Sequence, residues 1–302
     1  MTKPDINNTN IISLLPKGLQ KYSILSRLDR PIGYLLLWIP IVWGAFASLS
    51  VGQHSFGDIA YISVITLIGS IVMRGAGCTW NDIADQDFDK KVARTATRPI
   101  ACGSVSVNKA IIYLIFQLLI ALGILLLLPT NAQIASLIAV IPATLYPFMK
   151  RFTYWPQAWL GVTFNWGIWV GWLSFTSDAL YIPLFMHMAS IFWTLGYDTI
   201  YAHQDREDDL IAGVKSSALK LGTKTKPAVF IFYTTFALAN IYIAYIANYN
   251  TTFYFAFLCV IVSLLYQIIR LDIQNAKTCL HLFKHNRITG MLITISIISG
   301  VV

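Results

Sequence analysis

This chain carries little charge. Acidic and basic side chains make up 12% of its 302 residues, about half of the roughly 25% found in an ordinary soluble domain. Hydrophobic residues make up 56%, and the mean hydropathy is +0.63. So few charges exclude a solvated globular surface. Cysteine is also scarce. Cys78, Cys102, Cys259 and Cys279 form no C-x-x-C pair, which excludes a disulfide framework or a zinc ribbon and leaves packing thiols. The N-terminal region, with Pro4, Pro16 and Pro31, has no apolar run before a small-residue cleavage site. No secretory signal is therefore expected, and the first apolar run should remain as an anchor. Low-complexity linkers are lacking too. The expectation is one integral domain over residues 1–302, with 1–30 as a cytoplasmic N-terminal segment.

Apolar runs are what the chain has in quantity. A helix needs about 20 apolar residues to cross about 30 Å of hydrocarbon. Runs near that length fall at 32–50, 58–78, 109–128, 132–149, 158–176, 181–200, 228–247, 252–270 and 287–302. They do not alternate, so helices rather than barrel strands are expected. The fold class is all-α, a polytopic membrane protein of about nine transmembrane helices bundled around a central cavity.

Basic residues fall on one set of alternating connections: Lys17, Lys21, Arg27 and Arg30 before the first run, Lys90 to Lys109 after the second, Lys150 and Arg151 after the fourth, and Arg206 to Lys226 after the sixth. The opposite connections near 51–57, 129–131, 177–180 and 248–251 have no Lys or Arg. The positive-inside rule makes the basic face cytoplasmic. This predicts an inner (cytoplasmic) membrane protein with its N-terminus and long loops in the cytoplasm. With nine spans the C-terminus lies on the other side. The net charge of +8 then reflects topology and contact with membrane lipid, and no nucleic acid partner is expected. Nothing points to an obligate protein partner.

Of the 14 acidic residues, nine sit in two short windows. The first is N-D-I-A-D-Q-D-F-D, Asn81 to Asp89. The second is D-R-E-D-D, Asp205 to Asp209, with Asp198 upstream. Crowded carboxylates repel one another unless cations sit among them, and clustered carboxylate oxygens suit hard cations such as Mg2+. On one helix, Asn81, Asp82, Asp85 and Asp89 would share a face with Arg74 two turns deeper. Asp198, Asp205 and Asp209 would share another if the sixth helix continues. Asp87, Glu207 and Asp208 point off these faces and read as solvated. Both windows follow even-numbered spans, as a parallel duplication of a four-helix unit would place them. Arg94 and Arg98 follow the first window and Lys150 follows span four; Arg27 precedes span one. Arginine forks match phosphate oxygens. The pattern points to a phosphorylated substrate gripped at a membrane face. His281 and His285 are spaced for a metal but lack an acidic partner, and Asn165 reads as an interhelical hydrogen-bond partner.

These residues resemble the UbiA family of intramembrane aromatic prenyltransferases. The resemblance spans most of the chain, from R-L-D-R-P-I-G at 27–33 onward. It rests on N-D-x-x-D-x-x-x-D at 81–89, Y-P-F-M-K-R at 146–151 and Y-D-T-I-Y-A-H-Q-D-R-E-D-D at 197–209. M-R-G-A-G-C-T-W-N-D at 73–82 and K-S-S-A at 215–218 are similar to the branch that prenylates 4-hydroxybenzoate for ubiquinone. R-P-I-A-C-G at 98–103 departs from it, since the branch commonly has Pro-Ser before that glycine. The resemblance implies a Mg2+ cofactor and two substrates, a polyprenyl diphosphate and 4-hydroxybenzoate. It implies metal contacts from Asn81, Asp82, Asp85, Asp89, Asp205 and Asp209, and diphosphate contacts from Asn81, Arg94, Arg98, Lys150 and Arg27. Tyr146 would sit beside the departing allylic carbon. Arg74 would receive the acceptor carboxylate, and Asp198 would lie beside the acceptor. Other acceptors (naphthoate, haem, homogentisate) and, in a different class, a secondary transporter are the alternatives.

Overall fold

The computed structural model describes residues 12, 14–90 and 95–302, and the described residues contain helices and no strands. A short helix, α1 (Lys17–Leu25), leads to α2 (Pro31–Ala47). Proline starts α2 because its missing N–H would be unpaired there anyway. The third helix, α3 (Phe56–Ala84), begins at Ser55, whose hydroxyl accepts from the Asp58 N–H at 3.0 Å, a local cap worth about 1 kcal/mol. It is followed by α4 (Gln86–Asp89), α5 (Val107–Leu125), α6 (Thr130–Phe152), α7 (Pro156–Asn165), α8 (Gly167–Leu173) and α9 (Tyr181–Ala202). Two short helices, α10 (Arg206–Ala212) and α11 (Ser217–Leu221), precede α12 (Thr225–Ile246), α13 (Thr251–Arg270) and α14 (Ala276–Val301). Asn275 caps α14 by accepting from two N–H groups, Lys277 and Thr278, at 3.1 Å each.

Helices occupy all nine predicted segments, with three refinements. Six are long and apolar enough to cross a membrane: Pro31–Ser50, Phe56–Ala84, Val107–Leu125, Thr130–Phe152, Ser217–Ile246 and Thr251–Arg270. The fifth segment is broken at Trp166 into α7 and α8, neither of which is long enough alone. The other two, α9 and α14, pack against each other and against α12, α13 and α2. Protein surrounds much of them, so polar residues along their length meet partners instead of lipid.

The core lies among α2, α9, α12, α13 and α14, around Trp43, Trp193, Tyr197, Tyr233, Phe236, Phe253 and Phe257, all fully buried. A hydrogen-bonded seam runs through it. The Asn286 amide donates to Gln267 Oε1 at 2.9 Å, and Tyr233 donates to the same oxygen at 2.8 Å. Trp193 donates to Asn286 Oδ1 at 3.0 Å. In a low-dielectric interior such groups must find one another, which ties four helices in one register. Asn165 does what its sequence suggested, donating to Thr194 Oγ1 at 2.8 Å and to the Ser190 carbonyl at 3.1 Å. His285 meets Ser263 at 3.1 Å and packs at a tilt against Tyr266, a packing role. On α2 and α8, Gly44 and Gly171 let the two backbones touch; a side chain on Gly171 would strike the Ile41 carbonyl.

The outer face is apolar. Ile112, Ile115, Phe116 and Leu119 of α5 and Ile134, Leu137 and Ile141 of α6 are all exposed, far more contiguous apolar surface than water tolerates. These two helices are consecutive but share little contact. Each is packed on α3, and α6 also on α7 and α8.

Candidate active site

The helix ends that carry the acidic windows meet at the basic face and open into one cavity of about 790 Å³. Its mouth is lined by Arg27, Asn81, Asp82, Asp89, Arg98, Lys150, Asp205 and Asp209. Deeper in come Arg74, Tyr146, Tyr197 and Asp198. Below them the walls are aliphatic: Leu118, Leu122 and Leu125 of α5, Leu137 and Val140 of α6, and Val170 of α8. The cavity thus runs from a charged mouth to the cleft between α5 and α6, where the protein faces lipid.

Neither acidic window is a continuous helix, which corrects the single-stripe expectation. Helix α3 stops at Ala84 and Asp85 leaves the helical region at φ −104°, ψ 8°, before α4 restarts. Likewise α9 stops at Ala202 and Asp205 sits at φ −107°, ψ 4°, before α10. Both breaks use the same sparsely populated bridge conformation. The two windows therefore share a local backbone design of helix, aspartate break and short helix, which agrees with a duplicated unit. The breaks turn the later carboxylates inward, and Asp89, though on a short helix, is buried. Asp87 points away and is 81% exposed; Glu207 is exposed as well. The reading of Asp208 as solvated concerns a side chain outside the described residues.

Every carboxylate of the first window is held by basic groups. Asp82, only 1% exposed, accepts a bifurcated contact from Arg27 Nη2 on its two oxygens at 2.9 and 3.1 Å and a third from Arg98 at 3.3 Å. Arg27 adopts φ 54°, a conformation unusual outside glycine, and its guanidinium also donates to the Ile24 carbonyl at 2.9 Å. Arg98 bridges to Asp89 at 3.0 and 3.1 Å. Burial pushes the Asp89 carboxyl above the usual aspartate range; Arg98 pulls it back, and neighbouring Asp82 and Asp85 push it up. Asp85, fully buried, meets Lys150 Nζ at 2.5 Å, the Asn81 amide at 3.2 Å and Arg151 at 3.5 Å. Asp85 thus sits behind the cavity wall, while Asn81 and Lys150 line it. Arg94 lies outside the described residues. At the other window, Asp198 is half-buried and feels the charges of Asp205, Arg74 and Asp209. Tyr146 feels Asp198, Arg74 and Asp85. These groups therefore form one electrostatic unit.

Several participants are not distinguished by sequence. Arg151 donates to the Ala84 carbonyl at 3.0 Å and lies about 5 Å from the rings of Phe88 and Phe148, so it pins the α3 end to α6. Its place beside Lys150 was the only signal. Lys215 ties the segment after α10 to the end of α6: its N–H donates to the Lys150 carbonyl at 2.9 Å and its Nζ to the Phe152 carbonyl at 3.2 Å. Gly33, Phe164, Tyr201 and Phe283 also line the cavity.

The donor set is all oxygen, with one amide and several carboxylates, which suits a hard divalent cation. Among the described residues no three His, Cys, Asp or Glu side chains are gathered to hold a metal ion as they stand. Lys150 is paired with Asp85 and Arg98 with Asp89, so basic groups hold carboxylates that a cation would share. The residues fit a cation once those basic groups have another anion to hold.

The chain is similar in sequence to curated proteins and in fold to solved structures. The human mitochondrial 4-hydroxybenzoate polyprenyltransferase is 40% identical over 293 residues, covering 96% of this chain and 78% of that protein. The Arabidopsis thaliana protein of the same name is 39% identical over 291 residues, covering 95% and 70%. The apo structure of a UbiA homologue from Aeropyrum pernix K1 superposes with a TM-score of 0.73 at 23% identity, covering 88% of this chain and 98% of that one. A homologue from Archaeoglobus fulgidus bound to GPP and Mg2+ superposes with a TM-score of 0.70 at 20% identity, covering 92% and 99%. With residues 37–290 matching the UbiA prenyltransferase family, this chain belongs to that family.

Proposed function

We propose that the chain is a single-domain membrane enzyme that transfers a polyprenyl group from its diphosphate to 4-hydroxybenzoate, at the ring carbon ortho to the hydroxyl, with Mg2+ as cofactor. The observation that carries this reading is the one cavity with a carboxylate and arginine mouth above aliphatic walls open between two lipid-facing helices. Such a cavity suits a molecule with a diphosphate head and a long hydrocarbon tail. Relatives of high coverage named for this reaction support the acceptor. The Archaeoglobus homologue bound to GPP and Mg2+ supports the donor and the metal.

Asn81, Asp89, Asp205 and Asp209, which line the cavity, are proposed to hold Mg2+, with Asp85 joining them from behind the wall once Lys150 leaves it; the metal when bound would stabilise the negative charge growing on the leaving diphosphate. Asp82 receives a different assignment here: Arg27 contacts both its oxygens and Arg98 adds a third contact, so it keeps a basic partner when Arg98 turns to phosphate, and it aims those guanidinium groups. Lys150 and Arg98 exchange carboxylate for phosphate oxygens when substrate arrives, Arg27 completes the cationic rim, and Arg94 is proposed from its sequence position to bind phosphate as well. This is electrostatic stabilisation by preset donors. Once the allylic C–O bond breaks, the cation must meet an aromatic carbon before water. The aliphatic walls exclude water, and Tyr146 shields the allylic carbon. Arg74 anchors the acceptor carboxylate and so selects which ring carbon faces the cation. Asp198 takes the ring proton or orients the phenol. The basic face, with these loops and the N-terminus, is the cytoplasmic side of the inner membrane in this reading.

The test is turnover by purified protein in lipid with 4-hydroxybenzoate, a long-chain allylic diphosphate and Mg2+. Prenylated acid identified by mass spectrometry supports the reading. Turnover only with a naphthoate, haem or homogentisate acceptor would replace the acceptor and keep the reaction class.

A further inference from the structure

Gly33 stands in the first turn of α2 and lines the cavity beside Arg74. Its backbone is ordinary; the positive-φ glycines are Gly103, Gly213 and Gly222. Nothing in the local conformation calls for glycine, and glycine costs about 1 kcal/mol relative to alanine inside a helix. The reason lies across the helix interface. A Cβ at position 33 would come 2.6 Å from Arg74 Nε and 3.4 Å from both Cζ and Nη2. Those contacts fall on the body of the guanidinium, and its plane would have to pivot away from α2. The Arg74 Cζ also lies 5.6 Å from the Phe164 ring centroid. Arg74 Nε is buried and makes no hydrogen bond among the described residues. A buried cationic N–H left in this state is costly unless a ligand meets it. The guanidinium thus touches both a bare stretch of helix and an aromatic ring, with donor capacity in reserve and Asp198 and Tyr146 within electrostatic reach.

We propose that Gly33 is a specificity-determining residue: the slot left by its missing side chain, closed by Phe164, fixes the Arg74 guanidinium so that it accepts a carboxylate on the aromatic acceptor and discriminates against uncharged rings. The inference rests on the acceptor reading above and deepens it. Gly33 acts through Arg74 and touches no reacting atom, so it is a positioning residue. A guanidinium displaced by close to 1 Å loses the fork geometry on which carboxylate recognition depends, and misplacement on that scale costs up to about a hundredfold.

The experiment compares 4-hydroxybenzoate with 4-hydroxybenzamide, an uncharged ring of nearly the same shape, in wild type, Gly33→Ala, Arg74→Lys and the double variant. Gly33→Ala is expected to raise KM for 4-hydroxybenzoate about tenfold, leave KM for the polyprenyl diphosphate unchanged, and erase most of the preference for acid over amide. The unchanged diphosphate KM reports that the site is intact. Alanine is also the better helix former, so α2 itself is not weakened. In the Arg74→Lys background, where no Nε fork remains, Gly33→Ala should add little, a non-additivity that marks direct coupling. Unchanged acid preference in Gly33→Ala overturns the proposal, and so does a penalty equal in both backgrounds. A wild-type protein that turns over no benzoate overturns the acceptor reading as well, whereas wild-type turnover with an indifferent Gly33→Ala overturns the slot alone.

Discussion

Replacing Lys150 by methionine separates two roles that the geometry superimposes. Lys150 Nζ lies 2.5 Å from the fully buried Asp85, and its own side chain is 29% exposed. Breaking a buried ion pair by removing one partner costs about 3–5 kcal/mol. Solvent reaches the lysine, and Asn81 and Arg151 remain on the carboxylate, so the loss of folding stability should be nearer about 1–2 kcal/mol. The catalytic loss is larger if Lys150 transfers to the leaving diphosphate. Removing one preset donor from a developing anion costs about 10²–10³ in kcat, or ~2.7–4 kcal/mol. The assay is steady-state prenylation at saturating acceptor, with thermal unfolding in the same lipid. Lys150→Met should lower kcat by at least about a hundredfold. Adding Asp85→Asn should restore much of the stability, since the buried charge is gone, without restoring kcat. A kcat within about threefold of wild type, under about 0.7 kcal/mol in barrier, would refute the transfer and leave Lys150 a neutraliser of Asp85.

Other outcomes follow from the same geometry. Asp82→Asn releases Arg27 and Arg98 from their shared carboxylate, so KM for the diphosphate should rise about tenfold with the Mg2+ requirement unchanged; a large shift in Mg2+ affinity alone would make Asp82 a metal ligand. Arg151→Lys keeps the charge but loses the planar stacking on Phe88 and Phe148, and should cost about 0.5–2 kcal/mol of thermal stability with a smaller effect on KM. Asp89 has a folded-state affinity for protons above that of the unfolded chain because of its burial. Its contribution to metal-free stability is therefore present at low pH and lost as pH rises through the raised value. Mg2+ binding runs the other way and should weaken as pH falls through that value, above the ordinary aspartate range. Titrations in Asp89→Asn should lose both trends.

Much of the fold was legible because lipid imposes one rule on the backbone. Apolar runs of spanning length had to be helices, and all nine segments are. What hydropathy cannot register is where a helix ends after it leaves hydrocarbon. The second run loses its apolar character near residue 78, yet α3 continues to Ala84, because its backbone hydrogen bonds are indifferent to the surroundings. The break at Trp166 was invisible for the opposite reason: the residues on both sides are equally apolar. At the site, the residue types and their basic neighbours were legible from clustering alone. The continuous stripes were not there, since Asp85 and Asp205 interrupt their helices with dihedrals that spacing does not encode. The pairing of Asp82 with Arg27 and Arg98, the Arg151 clamp and the Gly33 slot come from distant segments. They appear only once the segments are brought together.

The most direct test of the account is the prenylation reaction run with and without chelator. Purified protein in lipid is given 4-hydroxybenzoate, a long-chain allylic diphosphate and Mg2+, and the product is read by mass spectrometry and by the ring position of the new bond. The account predicts a product prenylated ortho to the hydroxyl, absent with EDTA and restored by added Mg2+. Folded protein that releases no diphosphate with any aromatic acceptor, or a product that forms equally with EDTA, would contradict it.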